Sequence, residues 1–283
     1  MIIRESSLPP GWYPRSAEEI RRFLEQCPSG ADDSRRGRGL AAVSPHAGWY
    51  YSGALAAAAF ASLDSGAETV AILGGHLAAG SPVLAFTEDA CASPLGPMEI
   101  DGELRGALRA ALEQGARPWA PDRYRDNTVD VLIPMARFFF PRARLLALRL
   151  PADLSSYETG RLLAEAAGTL GRKLAVLGST DLTHYGRNYG FSPRGRGPGA
   201  LAWVRKVNDR RFIDAALSGD PGTVLGRAEE ESSACSAGAV LGVLGFVQGS
   251  TLAPELLAYG TSADADAGEV PDSFVGYAAI GWR

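Results

Sequence analysis

Four short segments of the chain are apolar at nearly every position and lack the polar alternation of a half-exposed strand. They are "LAAVS" (40–44), "TVAILG" (69–74), "RLLALRL" (144–150) and "KLAVLGS" (173–179). Strands that are apolar on both sides are typical of a sheet covered on both faces, which is most often parallel. The pattern therefore predicts a central, mostly parallel sheet.

Helical patterns lie before, between and after these strands. Ser16 followed by Glu19 has the form of a capping box at the start of an amino-terminal helix. The other predicted helices cover 52–63, 101–115, 129–140 and 157–171, with two more near 200–218 and 235–248. "PELLAYGTS" and "DSFVGYAAIGW" predict two strands near the carboxyl end. The alternation of strand and helix predicts an α/β fold in which helices flank the sheet.

Two glycine-rich segments separate these elements. Residues 29–39 are polar and predict a loop, and residues 186–199 are long for a connection inside a compact domain. The second segment is either a lid or a mobile stretch. Because no linker divides the chain, we predict one α/β domain over residues 1–283.

Composition and charge narrow the class of protein. The net charge of −4 and the pI near 5.5 argue against nucleic acid or an anionic membrane as the main partner. The first residues lack the pattern of a signal peptide, and no apolar run is long enough to span a membrane. The three cysteines, an odd and low count, do not suggest a disulfide framework. We therefore expect a cytoplasmic protein in a reducing compartment.

The three histidines of the chain all follow predicted strands. His46 comes just after "LAAVS", His76 just after "TVAILGG", and His184 just after "KLAVLGSTDLT". Ligands of an open α/β sheet collect at the carboxyl ends of its strands. We therefore expect the three imidazoles to lie close together, although each one alone is equally typical of an ordinary loop histidine.

Such a cluster favours a metal site. Two or three imidazoles with a carboxylate or thiolate suit zinc, copper or non-haem iron. Cys235 lies where a polar stretch turns into an apolar helix, a position that stabilises a thiolate. It is a metal ligand, a nucleophile or a small buried hydrophobe. Asp181, three residues before His184, either orients a ligand histidine or caps a turn.

Several motifs, in order along nearly the whole chain, resemble those of the Memo family, which in bacteria and archaea forms part of the AmmeMemoRadiSam set. "SPHAGWYYSG" is similar to the family segment "PHAGY-x-Y-[SC]-G", and "STDLTHYG" to "SSD-[LF]-[ST]-H-[YW]-G". "GWYP", "LGGHLAAG", "SPLGPMEID" and the pair "YGTSAD" and "SFVGYAAI" correspond to further family segments.

The resemblance implies a fold like that of the class III extradiol dioxygenases, in which histidines and a glutamate hold ferrous iron. In Memo-like proteins a cysteine takes the place of the carboxylate. Carried across by motif, His46, His76 and Cys235 would be the ligands of a single iron, copper or zinc ion. His184 would be an acid/base beside them, with Asp181 close by.

The sequence departs from the family in the stretch "DNTVD". Asp126, Asn127 and Asp130 stand where the family usually has Glu, His and Glu. These differences bear on the substrate pocket and on the choice of metal. They leave the three histidines unchanged.

Three functions are compatible with these residues. The first is a metal-dependent redox or dioxygenase-like enzyme that acts on a small molecule, with His184 moving a proton. The second is a metal-binding module without turnover that partners a radical-SAM protein. The third is a hydrolase in which Cys235 attacks and His184 is the base. The first two require a bound transition metal, and the third does not.

Overall fold

The structure is a computed structural model that describes residues 1–27, 37–265 and 268–283. The strands are β1 (Ile3–Arg4), β2 (Ala41–Ser44), β3 (Thr69–Leu77), β4 (Val83–Ala85), β5 (Ala90–Cys91), β6 (Met98–Glu99), β7 (Trp119–Pro121), β8 (Arg144–Pro151), β9 (Leu174–Ser179), β10 (His184–Gly186), β11 (Pro254–Thr261) and β12 (Ser273–Trp282). The helices are α1 (Ala17–Gln26), α2 (Trp49–Ser62), α3 (Gly102–Gln114), α4 (Asn127–Asp130), α5 (Ile133–Phe139), α6 (Ser155–Thr169), α7 (Pro198–Trp203), α8 (Asp209–Ser218), α9 (Pro221–Glu231) and α10 (Ala237–Phe246).

One large sheet has the strand order β10-β12-β2-β9-β3-β8-β4-β7, and β11 also pairs with β12. Its four central strands, β2, β9, β3 and β8, are mutually parallel. On the two sides, β12 pairs antiparallel with β2, and β4 pairs antiparallel with β8. The predicted α/β fold is confirmed, with a parallel centre and mixed edges.

Both faces of the central strands are buried, as their apolar sequences predict. In β3, Val70 and Ile72 pack into a core with α1, α2 and α5. Ala71 and Leu73 pack into the opposite core with α3, α6, α8, α9 and α10. Because side chains alternate between the two faces of a strand, a strand without polar positions needs helices on both sides.

Several elements differ from the sequence predictions. The capping box of Ser16 and Glu19 is present at α1. The helix predicted over 129–140 is two helices, α4 and α5, because Pro134 in the first turn of α5 has no N–H to continue the first helix. Helix α9 and the short strands β1, β4 to β7 and β10 were not predicted.

The two glycine-rich segments have different outcomes. Residues 28–36, which include most of the predicted 29–39 loop, lie outside the described residues. The segment 186–199 contains a short 3-10 turn, Arg187–Tyr189, and ends in the first turn of α7. Within the described ranges, no helix is both long and apolar enough to cross a bilayer.

Candidate metal centre

The carboxyl ends of β2, β9 and β3 lie side by side. β2 pairs with β9 at Ser44 and Ser179, and β9 pairs with β3 at Gly178 and Leu73. The chain therefore leaves three neighbouring parallel strands at the same edge of the sheet. This is the edge at which α/β proteins bind their ligands.

His46, two residues after β2, is buried and held at three points. Its backbone N–H donates to Asp181 Oδ1 at 2.7 Å, and its ring Nδ1 lies 2.9 Å from Ser179 Oγ. Asn127 Nδ2 donates to the carbonyl oxygen of His46 at 3.0 Å. Because Ser179 engages Nδ1, Nε2 is the ring nitrogen left for a ligand, and it lies 3.3 Å from Cys235 Sγ.

His76 stands in an irregularity at the end of β3. Between the pairs that Gly74 and Leu77 make with β8, two residues of β3 face a single residue of β8. His76 has a φ of 58°, in the left-handed region that few residues other than glycine adopt. Such bulges re-aim side chains next to functional sites. The ring Nδ1 of His76 lies 3.0 Å from Asp126 Oδ2, which again leaves Nε2 available.

Cys235 reaches the two histidines from the start of α10. It directly precedes the N-cap Ser236, and its backbone N–H donates to Asp181 O at 3.2 Å. Ser236 N donates to Thr180 Oγ1 at 3.1 Å, so the end of β9 also anchors the helix. Gly75 allows this close approach, because a Cβ at that position would lie 2.4 Å from Ser236 Cβ.

The three side chains form a compact cluster. One ligand atom from each of His46, His76 and Cys235 lies within 4.8 Å of the other two. The two imidazole rings meet edge to face with 5.0 Å between their centroids. The His46 side chain is 1% exposed and that of His76 is 32% exposed, so the cluster runs from the interior to the surface. Bonds of about 2.0 to 2.3 Å to one ion need a cluster of this size.

The three groups also change one another's protonation. Burial acts to raise the pKa of the Cys235 thiol, but His46 and His76 outweigh it and hold that pKa well below its usual range. Burial acts to lower the pKa of His76, but hydrogen bonds with Asp126 and Cys235 raise it to about 10. Burial opposes the charges of Asp181 and Cys235 at His46, whose pKa is raised. The cluster therefore favours a thiolate at Cys235 beside protonated imidazoles, and an ion that bound there would replace the imidazole protons, because metals bind thiolate and neutral imidazole.

Buried charges stand behind His76. Asp126 Oδ2 lies 3.3 Å from Arg149 Nη2, and Arg149 Nη1 lies 3.5 Å from Asp122 Oδ2. Arg149 Nε donates to Gly75 O at 2.9 Å and so holds the irregular end of β3. Burial acts to raise the pKa of Asp126, but His76 and Arg149 lower it to about 2. A carboxylate fixed in this way orients the imidazole it contacts.

A cavity of about 640 Å³ opens beside the cluster, and Asp181 and His184 both line it. His184 begins β10, and its Nδ1 lies 3.1 Å from Leu182 O. Its ring meets Tyr189 edge to face with 5.0 Å between centroids. Asp181 connects the cavity to the cluster, because its Oδ2 lies 3.8 Å from His46 Nε2.

The sequence predicts that all three imidazoles lie close together, and the structure brings two of them together. His46 and His76 meet Cys235, whereas His184 lies on β10, which β12 separates from β2. The chain turns away from the end of β9 over residues 180–183 before it joins β12. Asp181 accepts a hydrogen bond from the backbone N–H of His46 at 2.7 Å. The hydroxyl group that contacts the imidazole ring of His46 belongs to Ser179.

The stretch that departs from the family has three separate positions in the structure. Asp126 contacts His76, and Asn127 contacts His46 and lines the cavity. Asp130 instead accepts hydrogen bonds from the backbone N–H and hydroxyl of Ser7, at 2.7 and 2.9 Å, and ties down the amino-terminal segment.

Three residues that hold the cluster were not predicted from the sequence to do so: Asp126, Ser179 and Arg149. Arg149 carries a signal, because it is the one charged residue inside the apolar run "LLALRL". A charge buried in such a strand needs a partner. Ser179 is the last residue of its strand, and the sequence alone gives no sign that its hydroxyl meets His46.

A family model and two curated relatives match nearly the whole chain. The family model described as "Memo-like protein" matches residues 4–281. A MEMO1 family protein of Methanosarcina barkeri is 31% identical over 98% of this chain and 99% of its own length. Another, of Methanococcoides burtonii, is 30% identical over the same shares of the two chains. Among solved structures, an uncharacterized protein from Escherichia coli K12 is similar with a TM-score of 0.45 and 16% identity, over 86% of this chain and 99% of that one. The chain belongs to the Memo-like family.

Proposed function

We propose that His46, His76 and Cys235 hold one transition metal ion, and that the protein is a metal-dependent redox protein acting on a small molecule in the adjoining cavity. The observation that carries the proposal is the distance between the three ligand atoms, which all lie within 4.8 Å of one another. Family membership supports the proposal but does not define a reaction, because function resides in the site.

The chemistry of the donor set fits a metal ion. Both imidazoles have Nδ1 engaged, one by Ser179 and the other by Asp126, and therefore present Nε2. Metal-binding histidines characteristically have such a partner on the second nitrogen. The low pKa of Cys235 supplies a thiolate, and the buried side of the cluster excludes water from His46.

The same donor set limits the choice of ion to iron, copper or zinc. Two imidazoles and a thiolate are softer than the two imidazoles and a carboxylate typical of ferrous oxygenases, which favours copper(I) or zinc over iron. A bound ion of this kind would supply Lewis acidity or, for iron and copper, one-electron chemistry.

The residues of the chain would divide the remaining work. His184 donates from Nδ1 to Leu182 O and lines the cavity, so Nε2 is the ring nitrogen that would exchange a proton with a bound molecule. Asp181 fixes the backbone of His46 and forms part of the cavity wall. Asp126 would hold the ring of His76 through the hydrogen bond at Nδ1.

Metal analysis tests the site directly. Protein purified without chelator under anaerobic, metal-replete conditions should contain one ion per chain, and His76→Ala should lose it. His184→Ala is the matched control, because it removes the third imidazole of the chain from outside the cluster, and it should retain the ion. Absence of metal from the unmodified protein, or equal loss in both variants, would contradict the proposal.

Turnover needs a separate measurement. Oxygen uptake by the iron- or copper-loaded protein, with phenols added, should exceed uptake by the loaded His184→Ala variant. If the metal is bound and no phenol increases the uptake, the protein is a metal-binding module, as expected of a partner for a radical-SAM protein.

One contact favours a second function, a cysteine hydrolase. Cys235 Sγ lies 3.3 Å from His46 Nε2, the separation of a thiolate and imidazolium pair, so the base beside Cys235 would be His46 and not His184 as predicted from the sequence. The hydrolase predicts that chelator-treated protein releases nitrophenol from a nitrophenyl ester and that Cys235→Ser does not. Metal that both protects Cys235 from alkylation and abolishes this release would favour the metal site.

A further inference from the structure

We propose that the cavity beside the cluster takes a ring-bearing small molecule with hydroxyl or amine groups and excludes compounds with a carboxylate or phosphate. The inference rests on the proposed function for its biological meaning, because it names the substrate class of that site. Its physical basis is the composition of the cavity wall, which can be tested with or without metal.

Positive charge is scarce in the cavity. None of the described residues that line it is a lysine or an arginine, and His184 is the single titratable base among them. Asp181 lies at the end nearest the cluster, where burial raises the pKa of its carboxyl group. An anion that entered would lose part of its hydration and would find no guanidinium or ammonium group among these residues to balance its charge.

Hydroxyl groups are abundant in the same wall. Tyr51, Tyr189, Tyr277, Ser262 and Ser273 all line the cavity. Burial raises the pKa of Tyr277 and Asp181 raises it further, against a hydrogen bond with Ser262 that lowers it, so this phenol keeps its proton. Protonated phenols and serine hydroxyls both donate and accept hydrogen bonds. They match the hydroxyl or ammonium groups of a ligand.

Aromatic surfaces define the shape of the cavity. Tyr277 is 2% exposed, whereas Tyr51 and Tyr189 are 48% and 47% exposed, so one ring is buried and two stand at the opening. Trp12 lines the cavity as well. A volume of about 640 Å³ is ample for one ring with a short side chain. Stacking or edge contacts with these rings would retain a flat ligand.

Three probes that share one ring separate charge from shape. They are 4-hydroxyphenethyl alcohol, tyramine and 4-hydroxyphenylacetate, which differ in a neutral, a positive or a negative end group. Calorimetric titration of the zinc-loaded protein avoids redox turnover. The alcohol and tyramine should bind at least about tenfold more tightly than the acid, since the hydroxyl-rich wall can pair with their end groups, whereas the carboxylate loses hydration and finds no cation. Equal affinities, or tightest binding of the acid, would overturn the proposal.

A charge added to the wall should reverse the exclusion. Asn188 is exposed, lines the cavity and has no place in the proposed metal site. Asn188→Arg should raise the affinity for 4-hydroxyphenylacetate relative to that for the alcohol by about fivefold or more, because the guanidinium pairs with the carboxylate. Gln248→Arg, at an exposed position beyond the far end of α10, is the matched control and should change neither affinity.

The metal-free protein separates this inference from the proposed function. Chelator-treated protein should rank the three probes in the same order, because the wall groups belong to the chain. If the protein binds no zinc and the order persists, the metal proposal fails and the cavity proposal stands. If the acid becomes the tightest ligand when zinc is added, the ion and not the wall selects the ligand, and the cavity proposal fails.

Discussion

Two polar clusters lie at opposite ends of the same parallel strands. At the amino-terminal end of β3 and β8, Asp101 is fully buried and accepts hydrogen bonds from Thr69 Oγ1 and from Leu104 N. Arg144 and Arg172 also approach this carboxylate, at 3.6 and 3.2 Å. Its oxygens are engaged by groups of the chain itself, including the start of α3.

The cluster at the carboxyl-terminal end is built differently. His46, His76 and Cys235 turn their ligand atoms toward one another, and the partners from the chain engage the opposite sides of the two rings. The oxygens of Asp101 are already engaged by partners from the chain. The ligand atoms of His46, His76 and Cys235 instead converge on one point, where they can bind an ion from outside the chain. The difference between the two ends therefore distinguishes a structural ion cluster from a candidate site.

The largest expected effect is at the structural end. Asp101→Ala should lower the free energy of unfolding by about 3 to 5 kcal/mol, because the ion pairs of a fully buried carboxylate with Arg144 and Arg172 are lost together with its hydrogen bonds to Thr69 and Leu104. Urea denaturation measures the loss, and the folded fraction should keep its metal content. Asp220→Ala, which removes an exposed cap from α9, is the control for capping alone and should cost less. Loss of metal without loss of stability in Asp101→Ala would erase the distinction between the two ends.

Asp209 is a second buried carboxyl group, and its side-chain partners are hydroxyl groups of Thr183 and Tyr259 where Asp101 has arginines. Burial raises its pKa from 3.8 to about 6, against hydrogen bonds from Thr183 and Tyr259 that lower it. The native carboxyl therefore keeps its proton between about pH 4 and 6, while the unfolded one releases it. Stability should fall by roughly 3 kcal/mol as the pH rises through this window. Asp209→Asn should remove that slope in urea denaturation, and an unchanged slope would count against the assignment.

A smaller effect is expected behind His76. Arg149→Met removes the cation between Asp122 and Asp126, and the metal affinity should fall by about 10- to 100-fold, as for other lost partners of ligand histidines. Competition with a chelating dye measures the affinity. Arg109→Met, which breaks an exposed pair with Glu113 on α3, should leave it unchanged. Equal affinities of both variants would show that the charges behind His76 are structural only.

Part of this architecture was predictable from the sequence for local reasons. The apolar runs at 40–44, 69–74, 144–150 and 173–179 predicted the four central strands, because only a doubly covered sheet buries both of their faces. His46, His76 and Cys235 were predicted as one group from strand ends, a helix start and family motifs. The partners of the rings were not predicted, since Ser179 and Asp126 are distant from them in sequence.

The sequence by itself determined the strand and helix pattern, the family and the residue types at the candidate site, because these depend on local periodicity and short motifs. The tertiary structure alone decided that His184 lines the cavity, and that Gly75 admits α10 close enough for Cys235 to reach His46. The position of His184 and the approach of α10 depend on strand order and on distances of a few ångströms between segments far apart in the chain. The periodicity of apolar residues along the chain determines neither strand order nor these distances.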